Sequence, residues 1–330
     1  MSLIFQEKFT KTKLLKNFIG ISSRDPTPCL WDLNENFDNI SVYLNSIIKE
    51  QIIFDGFSNK SIEFLDLRAK IVNQIIQICN NFKLKSETLF KSVQIFDIYC
   101  WKISKFQTFK VNNAATCTTN DNSNCENIFN SDDQSSLSDL LKELKTIIVL
   151  CLNIACKFEE INCSYISYFK EHLLDEDENK EFYQLPDLIK KETEILKIIN
   201  FKLASPSFYV FNNVYIELVI LEYSRVDCNL DKNEIQKFIT RLVRINDVIV
   251  KVYCTLHESV YISPLYSGLI CIKATFIYFE YLYKRNLSYL DNYLSNILHS
   301  TNYEIEIDFL ERVSNRLFSL IKSKNLKIVS

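Results

Sequence analysis

The stretch Ala155-Cys156-Lys157-Phe158-Glu159-Glu160 ends a segment of the chain in which apolar residues recur on every side. Leu150 and Ile154 form one helical row with Lys157, and the small side chains of Cys151 and Ala155 stand four residues apart. A helix without a polar face has to be surrounded by other elements, and small side chains let neighbouring backbones approach it. We therefore expect a buried core helix, with Lys157 in its last turn, where a cation is favourable to the helix dipole.

The composition of the whole chain predicts an all-α protein. With 330 residues it is long enough for two domains that each bury a core. The apolar fraction of 47%, with 24 Phe and 17 Tyr, allows those cores to be large. Three Gly and five Pro are too few for an all-β chain, in which tight turns recur every 8 to 12 residues or so.

The spacing of apolar residues predicts a tandem pair of five-helix bundles with an extra N-terminal helix. The expected helices of the first bundle span about 61–82, 86–104, 137–160, 164–174 and 186–200. Those of the second bundle span about 206–224, 232–256, 264–285, 287–298 and 303–322. The extra helix covers about 36–54, so the predicted domains are 1–60 (arm and helix), 61–204 and 205–330.

Several of these helices have recognisable start signals. Proline is tolerated in the first turn, and a serine before it supplies an N-cap oxygen. Pro186, Ser205-Pro206 and Ser263-Pro264 fit this pattern. Capping boxes are expected at Asp231 with Glu234 and at Thr301 with Glu304.

The segment 108–136 interrupts the helical pattern of the first bundle. It is rich in Asn, Ser, Thr and Asp, and apolar residues are sparse. Such a composition cannot bury enough surface to offset the entropy of ordering the chain. We expect an exposed, mobile loop inserted between two helices.

Charge and hydropathy argue against nucleic acid and membrane as partners. The formal net charge of −3 provides no overall basic footprint. The most apolar run, residues 261–283, is interrupted by Pro264, Lys273 and Glu280, so it predicts a buried helix rather than a membrane span.

The residue types that carry catalysis or bind metals are not grouped. The eleven Cys include no C-x-x-C pair and have no His at ligand spacing, so we assign no metal and no disulfide. Three isolated Gly cannot form a phosphate-binding loop, and the three His are scattered. The sequence therefore predicts no enzymatic activity and no cofactor.

Two charged residues interrupt apolar stripes on neighbouring helices. Arg68 heads the stripe of its helix, and Asp97 lies within the stripe of the next. An unpaired buried charge would be costly, so we expect the two side chains to form an ion pair. A catalytic dyad is the other interpretation, but no nucleophile or third group lies nearby in the sequence.

A second pair of charges allows two interpretations. Glu192 falls on the apolar row of Leu188 and Ile195, and Lys157 ends the row of the buried helix. Periodicity alone is equally consistent with an internal ion pair and with two groups that face a partner protein.

The residues named so far resemble the cyclin family. The run 67–72 and Asp97 are similar to the opening of the N-terminal cyclin box, including its Arg and Asp pair. The run 155–160 resembles the family signature A-S-K-[FY]-E-E, and Glu192 matches the end of that box. The run 35–44 is similar to the N-terminal helix of A- and B-type (mitotic-like) cyclins.

The resemblance implies two cyclin boxes and a regulatory subunit that is itself no enzyme. Cyclins form heterodimers with a cyclin-dependent kinase, dock on the kinase helix that carries the catalytic glutamate and rotate it inward. In family terms Lys157 and Glu192 would bond backbone groups beside that helix. The apolar contacts would come from Ile154, Phe158, Leu196, Phe201, Leu203, Phe37 and Ile40. Such a protein would act in cell-cycle control, in the nucleus, the cytoplasm or both.

The sequence also departs from the family pattern. A- and B-type cyclins carry M-R-A-I-L…W in a substrate-docking groove, and here Lys70, Gln74 and Gln77 form a polar row instead, which puts that groove in question. A transcription-type cyclin, whose kinase acts on RNA polymerase, is the alternative within the family. A helical module like the core of general transcription factor B is the alternative outside it. The N-terminal helix favours the cell-cycle reading, and the net charge and the K-F-E-E run argue against the last one.

Overall fold

The structure is a computed structural model that describes residues 45, 49, 62–103, 131–160, 166–171, 184–226, 232–299 and 306–323. Within these ranges the regular structure is helical and no strand occurs, which confirms the predicted all-α class. The chain divides into two compact units between Leu203 and Ala204. We call the described residues from 62 to 203 the N-terminal unit. The described residues from Ala204 onward are the C-terminal unit.

The N-terminal unit is organised around one buried helix. Its helices are α1 (Ile62–Asn81), α2 (Ser86–Lys102), α3 (Ser131–Glu159), α4 (Ile166–Phe169) and α5 (Leu185–Ile198). Helix α3 packs against the other four helices. Every residue from Ile147 to Cys156 is buried, so α3 is the core helix of this unit. The run 155–160 lies at its C-terminal end.

Helix α3 starts earlier than its composition suggests. It begins at Ser131 rather than Leu137, so the loop expected over 108–136 is wrong for residues 131–136. Asp132 and Asp133 lie in the first turn, where negative charges are favourable to the helix dipole. Polar residues are therefore compatible with helix at this end. Residues 108–130 of the expected loop lie outside the described residues.

The fourth helix of the N-terminal unit is described only in part, because residues 164–165 and 172–174 of the predicted helix lie outside the described residues. The structure gives a single turn at α4, followed by a π-type turn at residues 170–171, where the sequence predicts 164–174. Ile166 and Phe169 are buried, whereas Tyr168 is 42% exposed. The described part is thus amphipathic, as the periodicity predicts, but only one turn of it is α-helical.

The C-terminal unit also has one central apolar helix. Its helices are α6 (Phe208–Val226), α7 (Lys232–Cys254), α8 (Glu258–Tyr261), α9 (Pro264–Tyr283), α10 (Ser288–His299) and α11 (Ile307–Ser323). Helix α9 packs against α6, α7 and α11. Among the described helices it is the one long and apolar enough to cross a membrane, with a mean hydropathy of 1.2, but 67% of that stretch is buried inside the protein. The core position agrees with the prediction of a buried helix.

A glycine sets the distance between α6 and α9. A Cβ atom on Gly268 would lie 2.9 Å from the backbone nitrogen of Asn212 and 2.9 Å from Cβ of Phe211. Cβ atoms do not approach other atoms that closely, so the crossing of the two helices requires glycine here. Ser267 and Cys271, the small residues four apart on α9, are fully buried.

Some predicted helix starts are confirmed and one is wrong. Ser263 accepts a hydrogen bond from the backbone nitrogen of Tyr266 (3.4 Å) with Pro264 as the first residue of α9, and Pro186 lies in the first turn of α5. The Ser205-Pro206 start is wrong, because α6 begins at Phe208. Proline fixes φ at a value that extended and turn conformations also use, so it does not enforce a helix.

Several sequence predictions fall on residues that the structure does not describe. Asp231 and the capping box at Thr301 lie outside the described residues. Of the predicted N-terminal helix only Asn45 and Lys49 are described, and both are helical.

Candidate functional site

Lys157 and Glu192 meet where the C-terminal end of α3 lies against α5. The Nζ atom of Lys157 is 2.6 Å from Oε1 of Glu192. The side chain of Lys157 is 52% exposed, whereas that of Glu192 is 9% exposed. The structure therefore brings the two predicted residues together as an internal ion pair, and it leaves the cation within reach of solvent and of a partner.

Asn153 holds the other oxygen of the same carboxylate. Its Nδ2 atom donates a hydrogen bond to Oε2 of Glu192 at 2.9 Å, and the residue is fully buried. A carboxylate with little access to water requires such donors. Asn153 was not predicted from the sequence. An amide four residues before Lys157 lies on the same helix face, so its position could have indicated a contact with Glu192.

The apolar residues predicted to contact a partner differ in exposure. Ile154 is 2% exposed, so it belongs to the core beneath the surface. Leu196 and Leu203 are half-buried, whereas Phe158 is 42% and Phe201 is 61% exposed. We call Phe158, Leu196, Phe201 and Leu203 the apolar rim.

The apolar rim includes a turn with an unusual backbone. After α5, Asn200 and Phe201 have φ values of 56° and 54°, in the left-handed region. For residues with a Cβ atom this region costs about 1–2 kcal/mol per residue. The backbone nitrogen of Phe201 donates to the carbonyl oxygen of Leu196 at 2.9 Å, and that of Leu203 donates to the carbonyl oxygen of Phe201 at 2.8 Å. These bonds hold a strained turn that presents an exposed aromatic ring.

Lys91, on α2, lies beneath the apolar rim and contacts two of its members, Phe158 and Leu203. It is 5% exposed, and its Nζ atom donates to the carbonyl oxygen of Leu203 at 2.6 Å and to Oε1 of Gln94 at 3.2 Å. The same atom lies 5.3 Å from the centroid of the Phe158 ring, a cation–π distance. The sequence analysis missed Lys91, because a single lysine in a helix predicts an exposed side chain.

Glu159 and Glu160 tie the end of α3 to the start of α2. Oε1 of Glu160 accepts hydrogen bonds from the backbone nitrogen of Lys85 (2.9 Å) and from Oγ1 of Thr88 (2.6 Å). Nζ of Lys85 donates to the backbone carbonyl oxygen of Glu159 at 3.0 Å. Each helix end thus receives a partner from the other, which satisfies groups that helix termini leave open. These contacts fix the position of the turn that carries Lys157 and Phe158.

A half-buried carboxyl lies beside this junction. Burial raises the pKa of Glu87 to about 7, and the nearby carboxylates of Glu159 and Glu160 raise it further, while a bond to its own backbone and the charge of Lys85 act in the opposite direction. Glu87 therefore titrates in the physiological pH range, at the first turn of α2.

Arg68 and Asp97 form the ion pair that joins α1 to α2. Nε of Arg68 lies 2.7 Å from Oδ1 of Asp97, and its Nη2 atom lies 2.8 Å from Oδ2. The two side chains are 2% and 8% exposed, so the pair is closed to solvent. A substrate could not reach charged groups that are closed to solvent, which favours the structural over the catalytic interpretation.

The described residues contain no group of three or more His, Cys, Asp or Glu side chains placed to bind a metal ion. The described cysteines are buried. Burial raises the pKa of the Cys151 and Cys271 thiols well above the ordinary value, so both remain protonated members of the core. Phe37 and Ile40, the contacts expected from the N-terminal helix, lie outside the described residues.

Comparison with known proteins agrees with the helical fold and with the motif around Lys157. Residues 125–204 match the family described as "Cyclin, N-terminal domain". The chain is 26% identical over 265 residues to the G2/mitotic-specific cyclin-B3 of mouse (Mus musculus), a match that covers 80% of this chain and 14% of the mouse protein. Part of this chain is thus similar to the N-terminal domain of cyclins, and most of its length is similar to a segment of one B-type cyclin.

Proposed function

We propose that this protein binds and activates a cyclin-dependent kinase as its regulatory subunit. The observation that carries the proposal is the Lys157–Glu192 pair, whose half-exposed ammonium stands beside the apolar rim. Aromatic side chains are enriched at the centres of protein interfaces, and charged groups beside them fix the register of the partner. Lys157 lies on α3 and Glu192 lies on α5. Both helices lie within the segment that matches the cyclin N-terminal domain.

Docking would use the exposed cation and the held carboxylate for different tasks. Lys157 is exposed enough to turn from Glu192 to a carbonyl at the end of a kinase helix. Glu192 would keep its bond to Asn153 and accept a backbone N–H from the kinase with the oxygen that Lys157 leaves. The apolar rim would take up an apolar side chain of the same kinase helix. No new buried charge would be left without a partner, which an interface of this kind requires.

Activation would follow from differential affinity. A kinase is active only when the helix with its catalytic glutamate is turned inward, so that the Lys–Glu pair of the kinase can form. If this protein binds the inward conformer more tightly, it shifts the population toward the active state. The proposal therefore requires no catalytic group on this chain.

A comparison of two double variants tests the proposal. The double variant Lys157→Ala, Glu192→Ala removes the candidate contact between α3 and α5. The matched control is Glu143→Ala, Lys191→Ala, which removes another pair between the same two helices (3.3 Å). The measurement is phosphorylation of histone H1 by a purified monomeric cyclin-dependent kinase, with circular dichroism as the check of helix content. We expect the first variant to lose activation and the control to keep it, with both remaining helical.

Two results would contradict the proposal. One is full activation by the Lys157/Glu192 variant, and the other is equal loss in both variants.

The name of the mouse relative refers to the G2/mitotic stage, so we extend the proposal to cell-cycle control in the nucleus, the cytoplasm or both. A panel of kinases decides this extension, because activation of kinases that act on RNA polymerase alone would indicate a transcription-type cyclin. Salt-sensitive binding to DNA without kinase activation would instead favour the nucleic-acid-binding alternative.

A further inference from the structure

Lys91 occupies a position that is unusual for a lysine. Its side chain is almost completely buried, and it contacts three different segments of the N-terminal unit. They are Gln94 on α2, Phe158 in the last turns of α3 and the carbonyl oxygen of Leu203 in the turn after α5. Burial of an ammonium is costly unless hydrogen bonds replace its water, so these contacts also fix where its Nζ atom lies.

The segment that Lys91 holds is the strained one. Leu203 follows directly on the turn in which Asn200 and Phe201 adopt left-handed backbone conformations. Such a turn persists only when its surroundings determine it. The 2.6 Å bond from Lys91 has a charged donor, and hydrogen bonds of this kind are about twice as strong as neutral ones. Lys91 is thus placed to keep the turn in the conformation that exposes Phe201.

We propose that Lys91 is a positioning residue for kinase docking, which braces the two sides of the apolar rim against each other before the kinase arrives. This inference rests on the proposed function. Lys91 itself is too buried to touch a partner, so its effect passes through Phe158 on one side and Leu203 on the other. A surface that is already ordered loses less conformational freedom on binding, and its affinity is correspondingly higher.

The test uses Lys91→Met, which keeps an unbranched side chain of similar length and removes the ammonium. Because the substitution takes a charge out of an apolar environment, the variant is expected to fold, with little change in Tm. Its affinity for an immobilised, purified monomeric cyclin-dependent kinase is expected to fall about tenfold, the size expected from one hydrogen bond with a charged donor. Amide hydrogen exchange at Phe201 and Leu203 in the free protein is expected to accelerate.

Two further variants separate bracing from general stability. Ile75→Ala opens a cavity at a fully buried position of α1, so it is expected to lower Tm without changing the affinity or the exchange at the turn. Lys91→Arg retains a charged donor and is expected to recover part of the affinity, although the larger head group does not match the site.

The outcomes are distinct. If Lys91→Met keeps the wild-type affinity or the wild-type exchange at the turn, the inference is wrong. If Ile75→Ala loses affinity in proportion to its Tm and Lys91→Met follows the same line, Lys91 is an ordinary core residue and the inference is also overturned. Failure of the wild-type protein to bind any kinase of the panel overturns the proposed function. The exchange data then show separately whether Lys91 orders the turn.

Discussion

The guanidinium of Arg68 and the carboxylate of Asp97 form a bidentate ion pair between α1 and α2, with N–O distances of 2.7 and 2.8 Å and almost no exposure. Apolar residues surround both on their helices, with Val93 and Cys100 near Asp97 and Ile71 and Val72 near Arg68. The pair therefore favours this placement of the two helices, because separating them would leave two buried charges without each other.

Arg68→Ala should destabilise the N-terminal unit by about 3–5 kcal/mol, because the buried carboxylate of Asp97 would lose its partner. Urea denaturation followed by circular dichroism measures the change. The double variant Arg68→Met, Asp97→Leu should recover most of the loss, since it removes both charges and fills the space. A double variant as unstable as Arg68→Ala would contradict this account.

Asn153→Leu should weaken kinase binding by about tenfold and leave the helical fold intact. The leucine has a similar volume, but Oε2 of Glu192 would lose its donor, and one such bond to a charged group is worth about 1.5–3 kcal/mol. Isothermal titration calorimetry with the purified kinase measures the change. Asn73→Leu, at an exposed position of α1, is the control and should bind as the wild type does. Equal affinities of all three proteins would show that Asn153 does not position Glu192.

Glu87→Gln should raise stability above pH 7 and have little effect near pH 4.5. The pKa of Glu87 is about 7 in the folded chain against an ordinary 4.5, so the folded chain retains a proton that the unfolded chain has released. Stability therefore falls as pH rises through this window, by about 3 kcal/mol at most. Scanning calorimetry of both proteins at pH 4.5 and pH 8 measures the difference.

The same experiment has a counterpart in the C-terminal unit. Burial raises the pKa of Glu217, on α6, to about 7 as well, so Glu217→Gln should show the same pH dependence. Either glutamine variant could gain the same stability over the wild type at both pH values. That result would show that desolvation of the carboxylate is not the cause of the gain.

Gly268→Ala should destabilise the C-terminal unit by about 1–3 kcal/mol. The added methyl group would lie 2.9 Å from backbone and side-chain atoms of α6, and neither Asn212 nor Phe211 can yield without moving the helix. Thermal unfolding measures the change. Asn296→Ala, at an exposed position of α10, is the control and should unfold at nearly the wild-type temperature.

Peptides with an R-x-L docking motif should not bind this protein at micromolar concentration. Lys70, Gln74 and Gln77 are all exposed on one face of α1, so an apolar groove at this place is interrupted by polar side chains. Fluorescence anisotropy with a labelled peptide measures the affinity. Binding that appears only in Lys70→Ile would support the prediction, whereas saturable binding to the wild type at micromolar concentration would contradict it.

The sequence predicted the helices of this fold well, because each long helix has an apolar row at helical spacing. Its failures lie where a local signal has more than one structural meaning. Ser205-Pro206 satisfies the rule for a helix start, yet it lies in a buried non-helical segment before α6. Ser131 to Ser136 are polar enough for a loop, yet they form the first turns of α3.

The candidate site was predictable only in part. Charged residues in apolar rows pointed to Lys157 and Glu192, since a buried charge has to be compensated. Lys91 gave no such signal, and Phe201 was predicted only from the family resemblance, as an apolar contact. The partner of Lys91 is a backbone carbonyl 112 residues away along the chain, and the left-handed conformation of Phe201 is one that its residue type does not favour.

The apolar character of α9 also has a consequence for the synthesis of the protein. While α9 leaves the ribosome, α6 and α7 have already been made, but α10 and α11 have not, and α11 covers part of its surface. For that interval the nascent chain displays a segment whose length and hydropathy suit a membrane span. We expect early packing of α9 onto α6, through the close contact at Gly268, to hide this segment from the targeting and chaperone machinery that recognises such segments. Substitutions at this contact should therefore lower the yield of folded protein in cells by more than their effect on equilibrium stability.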